Sequence, residues 1–359
     1  MAARGTRFNR LRQWIAGFVH RHWRRALALR ERFRPSEEAF NLGLAAVVGL
    51  VGGLINVGYF ALLQLSKLTT HHQSGDFSEI AEGLSPVLRV LIPTLGGVAA
   101  GLVLHFGLRM IGPQSGGNLL EVVVAGNGRL PMRQALIKGL SSLISITSGA
   151  SIGREGLVTQ LSATIASKWG QLRQWQPYRL RLLVACGAGA GIAAAYNAPL
   201  AGAVFAAQIV LGNFSMALFA PIVLASVVAT VVCRTYLGVI KWYDVPSFDF
   251  TQLGQLPWFL LLGIGCGVFG AAFLKLLRWS EVAFRKLPAS MPLRLGAAGV
   301  IVGVLAVWFP QVWGNGFGPT TQLLKESYAL QFVLLLALAK LVATVATVGS
   351  GAVGGVMTR

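Results

Sequence analysis

Long apolar runs, separated by short polar stretches, constrain this chain more than any other feature. They cover residues 40–65, 87–106, 135–146, 157–166, 182–210, 216–236, 257–277, 295–309 and 330–348. A run of about 20 apolar residues is long enough to cross the hydrocarbon core of a bilayer. Inside lipid a backbone must satisfy its own hydrogen bonds, and a helix does so within one segment. With 54% hydrophobic and 12% charged residues, 44 glycines and a mean hydropathy of +0.64, the chain is read as an all-α polytopic membrane protein. Its 359 residues leave room for about ten spanning or half-spanning segments.

The net charge of +19 raises the question of nucleic acid. The basic residues flank apolar runs and form no aromatic-interleaved face, so they point to the membrane and no nucleic-acid partner is expected. Residues 1–34 hold ten arginines and one acid, Glu31. Such a stretch is too basic for a cleavable signal. It is read as a cytoplasmic tail, residues 1–38, able to lie on anionic headgroups through Trp14, Ile15, Phe18 and Trp23. Residues 39–359 form the transmembrane domain, placed in a bacterial inner membrane.

Two of the apolar runs are interrupted in a way that ordinary spans are not. Between 135–146 and 157–166 lies Gly149 to Gln160, in which Gly149, Gly153 and Gly156 let the backbone turn and bare its N–H groups. A helix starting near Gly156 would direct its unpaired N–H groups and positive dipole end forward, which makes an anion site. Glu155 stands at that end and could occupy the site itself; the plainer alternative is a solvated first-turn acid. The second break is Asn197 to Gly202, which must kink or split the run 182–210. A glycine-rich turn, Gly112 to Asn118, carries the hydroxyl of Ser115.

A shift of 202 residues lays the second half of the chain on the first. Lys138, Ser148, Gly149, Ala150 and Gly153 meet Lys340, Ser350, Gly351, Ala352 and Gly355, and Gly97, Gly101, Gly112 and Gly116 meet Gly299, Gly303, Gly314 and Gly318. Two repeats, about 40–212 and about 216–359, with breaks at matching places, point to a transporter fold with its site between the halves. Position 359 matches Leu157, so the counterpart of 158–212 would follow Arg359, and the second repeat is expected to be incomplete.

Of the twelve acids, only Glu121 and Glu155 fall at membrane depth, where an ionisable group is a functional candidate. A helix-start role for Glu121 is an equal alternative. Burial and the field of a helix end act in opposite directions on such a carboxylate. Cys186, Cys233 and Cys266 are read as packing residues. His20, His22, His71, His72 and His105 are scattered, with His71 and His72 read as a solvated loop. No metal or cofactor site is expected. No nucleophile–base pair or phosphate cradle is visible, so no enzyme is expected.

Gly153-Arg154-Glu155-Gly156, Gly191-Ile-Ala-Ala-Ala-Tyr-Asn-Ala-Pro-Leu-Ala-Gly202, Gly314-Asn-Gly-Phe-Gly318 and Gly351-Ala-Val-Gly-Gly-Val-Met357 together resemble the CLC family of chloride channels and proton/chloride antiporters. The resemblance runs from about residue 40 to the end. It implies a homodimer in the lipid bilayer with an anion pathway in each subunit, built from inverted repeats whose broken helices converge on chloride. Ser115, with Gly116, matches the family's anion-coordinating serine turn. Glu155 matches the gating glutamate, framed by Gly153, Arg154 and Gly156. Gly355, Val356 and Met357 match a third anion-binding stretch.

The departures bear on mechanism. Gln114-Ser-Gly-Gly-Asn118 stands where the family usually has Gly-Ser-Gly-Ile-Pro, and Leu157 replaces a common proline. Gln208 and Ile209 stand where proton-coupled members carry a pair of glutamates, which leaves Glu121 as a possible proton pathway. Ser115 is retained, whereas a fluoride-exporting branch replaces it. The expectation is chloride conduction gated by Glu155, leaning to a passive channel. The alternatives are a proton- or fluoride-coupled antiporter, or a non-conducting fragment.

Overall fold

The computed structural model describes residues 36–71, 75–112, 126–212, 214–239, 245 and 253–355. The chain divides into two compact units, Met1–Leu44 and Ala45–Arg359. In the first, residues 36–44 open a helix whose start is capped by Ser36, with the Ala39 N–H donating to its Oγ at 3.2 Å. The second unit holds the rest of an all-α fold.

Twelve α-helices lie among the described residues. They are α1 (Glu37–His71), α2 (Phe77–Gly83), α3 (Pro86–Ile111), α4 (Met132–Thr147), α5 (Glu155–Leu172), α6 (Pro177–Tyr196), α7 (Pro199–Phe205), α8 (Met216–Leu237), α9 (Leu256–Lys286), α10 (Met291–Trp308), α11 (Phe317–Lys325) and α12 (Leu330–Gly349). Proline opens several of them, at Pro86, Pro177, Pro199, Pro257 and Pro292, where its missing N–H costs nothing. Among the described residues, seven helical segments are long and apolar enough to cross a bilayer. At about 1.5 Å per residue the 35 residues of α1 measure about 50 Å, longer than the ~30 Å core, so this helix must tilt or protrude. Trp258, Phe259, Leu260, Phe269 and Trp279 of α9 are exposed, a surface suited to hydrocarbon and not to water. The protein is a multi-pass integral membrane protein.

Apolar side chains gain nothing by leaving lipid for a neighbouring helix, so close packing of small residues has to hold the bundle together. Helix α6 lies at its centre. A β-carbon on Gly187 would come to 2.7 Å from the Ser162 carbonyl oxygen, and one on Gly191 to 2.7 Å from Thr159 Cα, both on α5. The helix ends at Asn197, whose left-handed φ of 56° breaks the run, and α7 restarts at Pro199 before passing into a π-helical turn, Ala206–Leu211. The expected split of the run 182–210 is therefore present.

The repeat reads directly in the contacts between α3 and α10. A β-carbon on Gly97 would overlap the Leu295 carbonyl, and one on Gly299 the Pro93 carbonyl; these are 202-residue counterparts with their roles exchanged. Gly101 meets Pro292 and Gly303 meets Val90, again a reciprocal pair. As the register rises on one helix it falls on the other, so the repeat mates cross antiparallel. Two equivalent spanning helices that run in opposite directions are related by an axis in the membrane plane, which makes the repeats inverted. A cavity of about 20 Å³ lies on this axis, bordered by the paired hydroxyls Ser145 and Thr347, and Ser148 and Ser350.

Several of the polar stretches between the apolar runs are helical, and one loop expectation is corrected. The stretch 67–82 stays helical through His71 and forms α2 from Phe77. His71 is no solvated loop residue: its Nε2 lies 2.8 Å from the Thr147 carbonyl and its ring faces Trp313. His72 lies outside the described residues. Of the polar stretch 168–181 between the runs ending at 166 and starting at 182, only 173–176 connects helices, and the stretch 310–328 contains α11. Cys186 and Cys233 are buried as expected, but Cys266 is exposed on α9.

The crossing gives a paired prediction. Gly299→Ala should lower the thermal stability of the purified protein by an overpacking cost of about 1–3 kcal/mol. Gly267→Ala, on open space in α9, should leave it unchanged or slightly raised. Melting followed by loss of monodisperse protein in detergent distinguishes the two; equal effects would contradict the crossing.

Candidate functional site

The site forms where both repeats break at the same place. α4 ends at Thr147 and α12 at Gly349, and each is followed by a glycine in the left-handed region, Gly149 at φ 92° and Gly351 at φ 96°. An L-residue would be strained at either position. A β-carbon on Gly149 would also lie inside the Trp313 indole, which packs on this turn fully buried. The two chains then meet edge to edge. Gly355 N–H donates to the Gly153 carbonyl at 2.6 Å, and Gly153 N–H to the Gly355 carbonyl at 3.3 Å, an antiparallel bridge between repeat mates.

Helix α5 starts one residue earlier than expected, at Glu155. Its first amides have no helical partner, so the positive end of the helix meets the bridge. Glu155 is only 7% exposed and Arg154 5%, which removes the alternative of a solvated first-turn acid. The carboxylate folds back towards its own backbone N–H, and the Asn315 side chain reaches it from the loop before α11. Oε2 lies against both bridging glycines: a β-carbon on Gly355 would sit 3.0 Å from it, and one on Gly153 would overlap it. Gly355 also covers the Gly156 amide, whose nitrogen would be 2.9 Å from that β-carbon. A side chain at either glycine would therefore displace the carboxylate.

Beside this point is a cavity of about 110 Å³, lined by Phe60, Lys67, Asp76, Arg154, Asn315 and Phe317 among others. The Arg154 guanidinium stacks over Phe60 at 4.8 Å from the ring centroid. Lys67 sits over Phe77 at 4.1 Å and donates to the Gly75 carbonyl at 3.1 Å. Two cations thus face a space that leads to Gly153.

Of the residues singled out in the sequence, the structure brings Gly153, Arg154, Glu155, Gly156 and Gly355 together. Ser115, Gly116, Glu121, Val356 and Met357 lie outside the described residues. Gln208 and Ile209 lie in the π-helical turn, both exposed. Trp313, Phe60 and Tyr59 escaped the sequence reading, and Asn315 entered it only within the Gly314–Gly318 motif, with no role of its own. An asparagine between Gly314 and Gly316 was the one signal among them, since two flexible neighbours let its side chain be aimed.

Fold and site define an inverted-repeat helical membrane protein in which a broken helix from each half meets the other around a buried carboxylate. Residues 96–358 match the voltage gated chloride channel family, and the chain belongs to that family, the CLC proteins. A ClcB-like chloride channel protein of Ralstonia nicotianae is 39% identical over 321 residues, 88% of this chain and 75% of the relative. The voltage-gated ClC-type chloride channel ClcB of Shigella boydii is 35% identical over 319 residues, 88% of this chain and 76% of its own length. Among solved structures, a slow cyanobacterial Cl⁻/H⁺ antiporter superposes with a TM-score of 0.74 at 25% identity, covering 88% of this chain and 75% of that one. A CLC-type fluoride/proton antiporter gives 0.70 at 23% identity, covering 89% and 78%, a likeness of fold.

The packing around Glu155 predicts its reactivity. A water-soluble carbodiimide at neutral pH should leave Glu155 almost unlabelled in peptide mass spectra, and Gly355→Ala should raise its labelling severalfold. Strong labelling of the unmodified protein would contradict the burial.

Proposed function

We propose that this protein moves chloride and similar small anions across the membrane by passive, channel-like conduction gated by Glu155. The observation that carries the reading is the Glu155 carboxylate at the start of α5, lodged against Gly153 of its own repeat and Gly355 of the other. A carboxylate in that position resembles a bound anion in charge and in its oxygen acceptors. Ionised, it fills the site; protonated, it loses the attraction of the helix end and leaves. On this reading Gly153, Arg154 and Gly156 frame the outer anion position, with Ser115, Gly116, Gly355, Val356 and Met357 completing the path. The names of the two bacterial relatives, both chloride channels, support the substrate.

Passive conduction is favoured by Gln208 and Ile209, neither of which can carry a proton at the position where coupled relatives hold acids. Proton-coupled exchange is the second reading, supported by the solved antiporters of the same fold, and would need a route through water or Glu121. We place the protein as a homodimer in a bacterial inner membrane with its N-terminus in the cytoplasm, where the basic tail meets anionic lipid.

Purified protein in liposomes, with chloride and proton movement recorded together, tests this function. Chloride, bromide and nitrate should pass, and potassium should not. A chloride gradient should drive no uphill proton movement. Stoichiometric proton pumping would replace conduction by exchange, and cation permeability comparable to chloride would overturn the anion pathway.

A further inference from the structure

Lys340 is a cation inside the bundle with no role in the site so far described. It lies on α12, 202 residues after Lys138, and its ammonium donates to two backbone carbonyls, Val312 at 2.8 Å and Gly314 at 2.7 Å. A buried ammonium is costly unless such acceptors satisfy it. The turn it holds is built on glycines. Gly314 and Gly316 both take left-handed φ values, 67° and 88°, and glycines that adopt these angles freely also adopt many others. The Lys340 stem closes over Gly316, whose β-carbon position is 3.4 Å from Cε.

Two residues depend on that grip. Trp313 lies between the held carbonyls and covers Gly149, at the beginning of the gating loop. Asn315 follows the second carbonyl and reaches Glu155, at the loop's end. The Asn315 Oδ1 is turned to the Phe317 N–H at 3.4 Å, which leaves its amide N–H₂ as the group that faces the carboxylate. We propose that Lys340 is a positioning residue for the gate: by holding Val312 and Gly314 it aims the Asn315 amide at the Glu155 carboxylate and steadies its blocking position. The inference rests on Glu155 acting as the gate. The other charged or titratable groups around that point are Arg154 in the same loop and Tyr59 of α1, with Lys67 and Asp76 across the cavity.

Chloride efflux from liposomes as a function of external pH tests the link. A donor lost to an ionised acceptor weakens the blocking form, so less acid is needed to open the path. Lys340→Met and Asn315→Leu should each move the pH of half-maximal flux upward by about one unit. Because both remove the same contact, the double variant should move it no further than either alone. In a Glu155→Gln background neither substitution should alter the pH profile. Full additivity of the two shifts would mean that the Lys340 charge acts through space, and would overturn the proposal. Asn315 is exposed, so Asn315→Leu keeps the test alive should Lys340→Met fail to fold; an unmoved midpoint in Asn315→Leu overturns the link by itself. Wild-type pH dependence in Glu155→Gln alone would instead remove the gate reading, and this link with it.

Discussion

Everything in this protein depends on a backbone contact between two glycines. Gly153 and Gly355 are equivalent positions of an internal repeat, and they pair with each other across the axis that relates the halves. Only residues without side chains can bring two chains so close while leaving room for the Glu155 carboxylate between them. The pairing turns two helix breaks, each of which alone would be an unsatisfied gap in a membrane, into one site with shared hydrogen bonds.

The pairing in turn needs the halves to be held in register from outside the site. The crossing of α3 and α10 does this through four glycines, Gly97, Gly101, Gly299 and Gly303, whose contacts are backbone to backbone. Such contacts are rigid, because no flexible side chain can absorb a shift. Rigidity at the crossing contrasts with the loops at the site, where left-handed glycines at 149, 314 and 316 are held in place by Trp313 and Lys340, and the one at 351 lies under Met291. The fold fixes the frame, and a few long side chains fix the loops within it.

How much of this could be read from the residues follows from how far apart the partners lie. The apolar runs announced the helices, the 202-residue offset announced the repeat, and the glycine break around Glu155 announced a buried acid, because each is a local or periodic pattern. The polar stretch 168–181 does not mark a helix end at either apolar run, because lysine, glutamine and arginine favour both water and helix. His71 misread for a related reason: its partners, the Thr147 carbonyl and Trp313, come from segments 76 and more residues away. Asn315 and Lys340 acquire meaning only once the second half of the chain meets the first at Gly153 and Gly355. No composition or spacing rule carries such contacts.

The central claim is that the Glu155 carboxylate occupies a place that otherwise takes an anion. Bromide located by its anomalous scattering in crystals tests this most directly. In Glu155→Gln, a bromide peak should lie beside Gly153, Gly355 and the first amides of α5, where the carboxylate sits in the unmodified protein; at alkaline pH the unmodified protein should lack that peak. A peak at this position in both proteins, or in neither, would contradict the account.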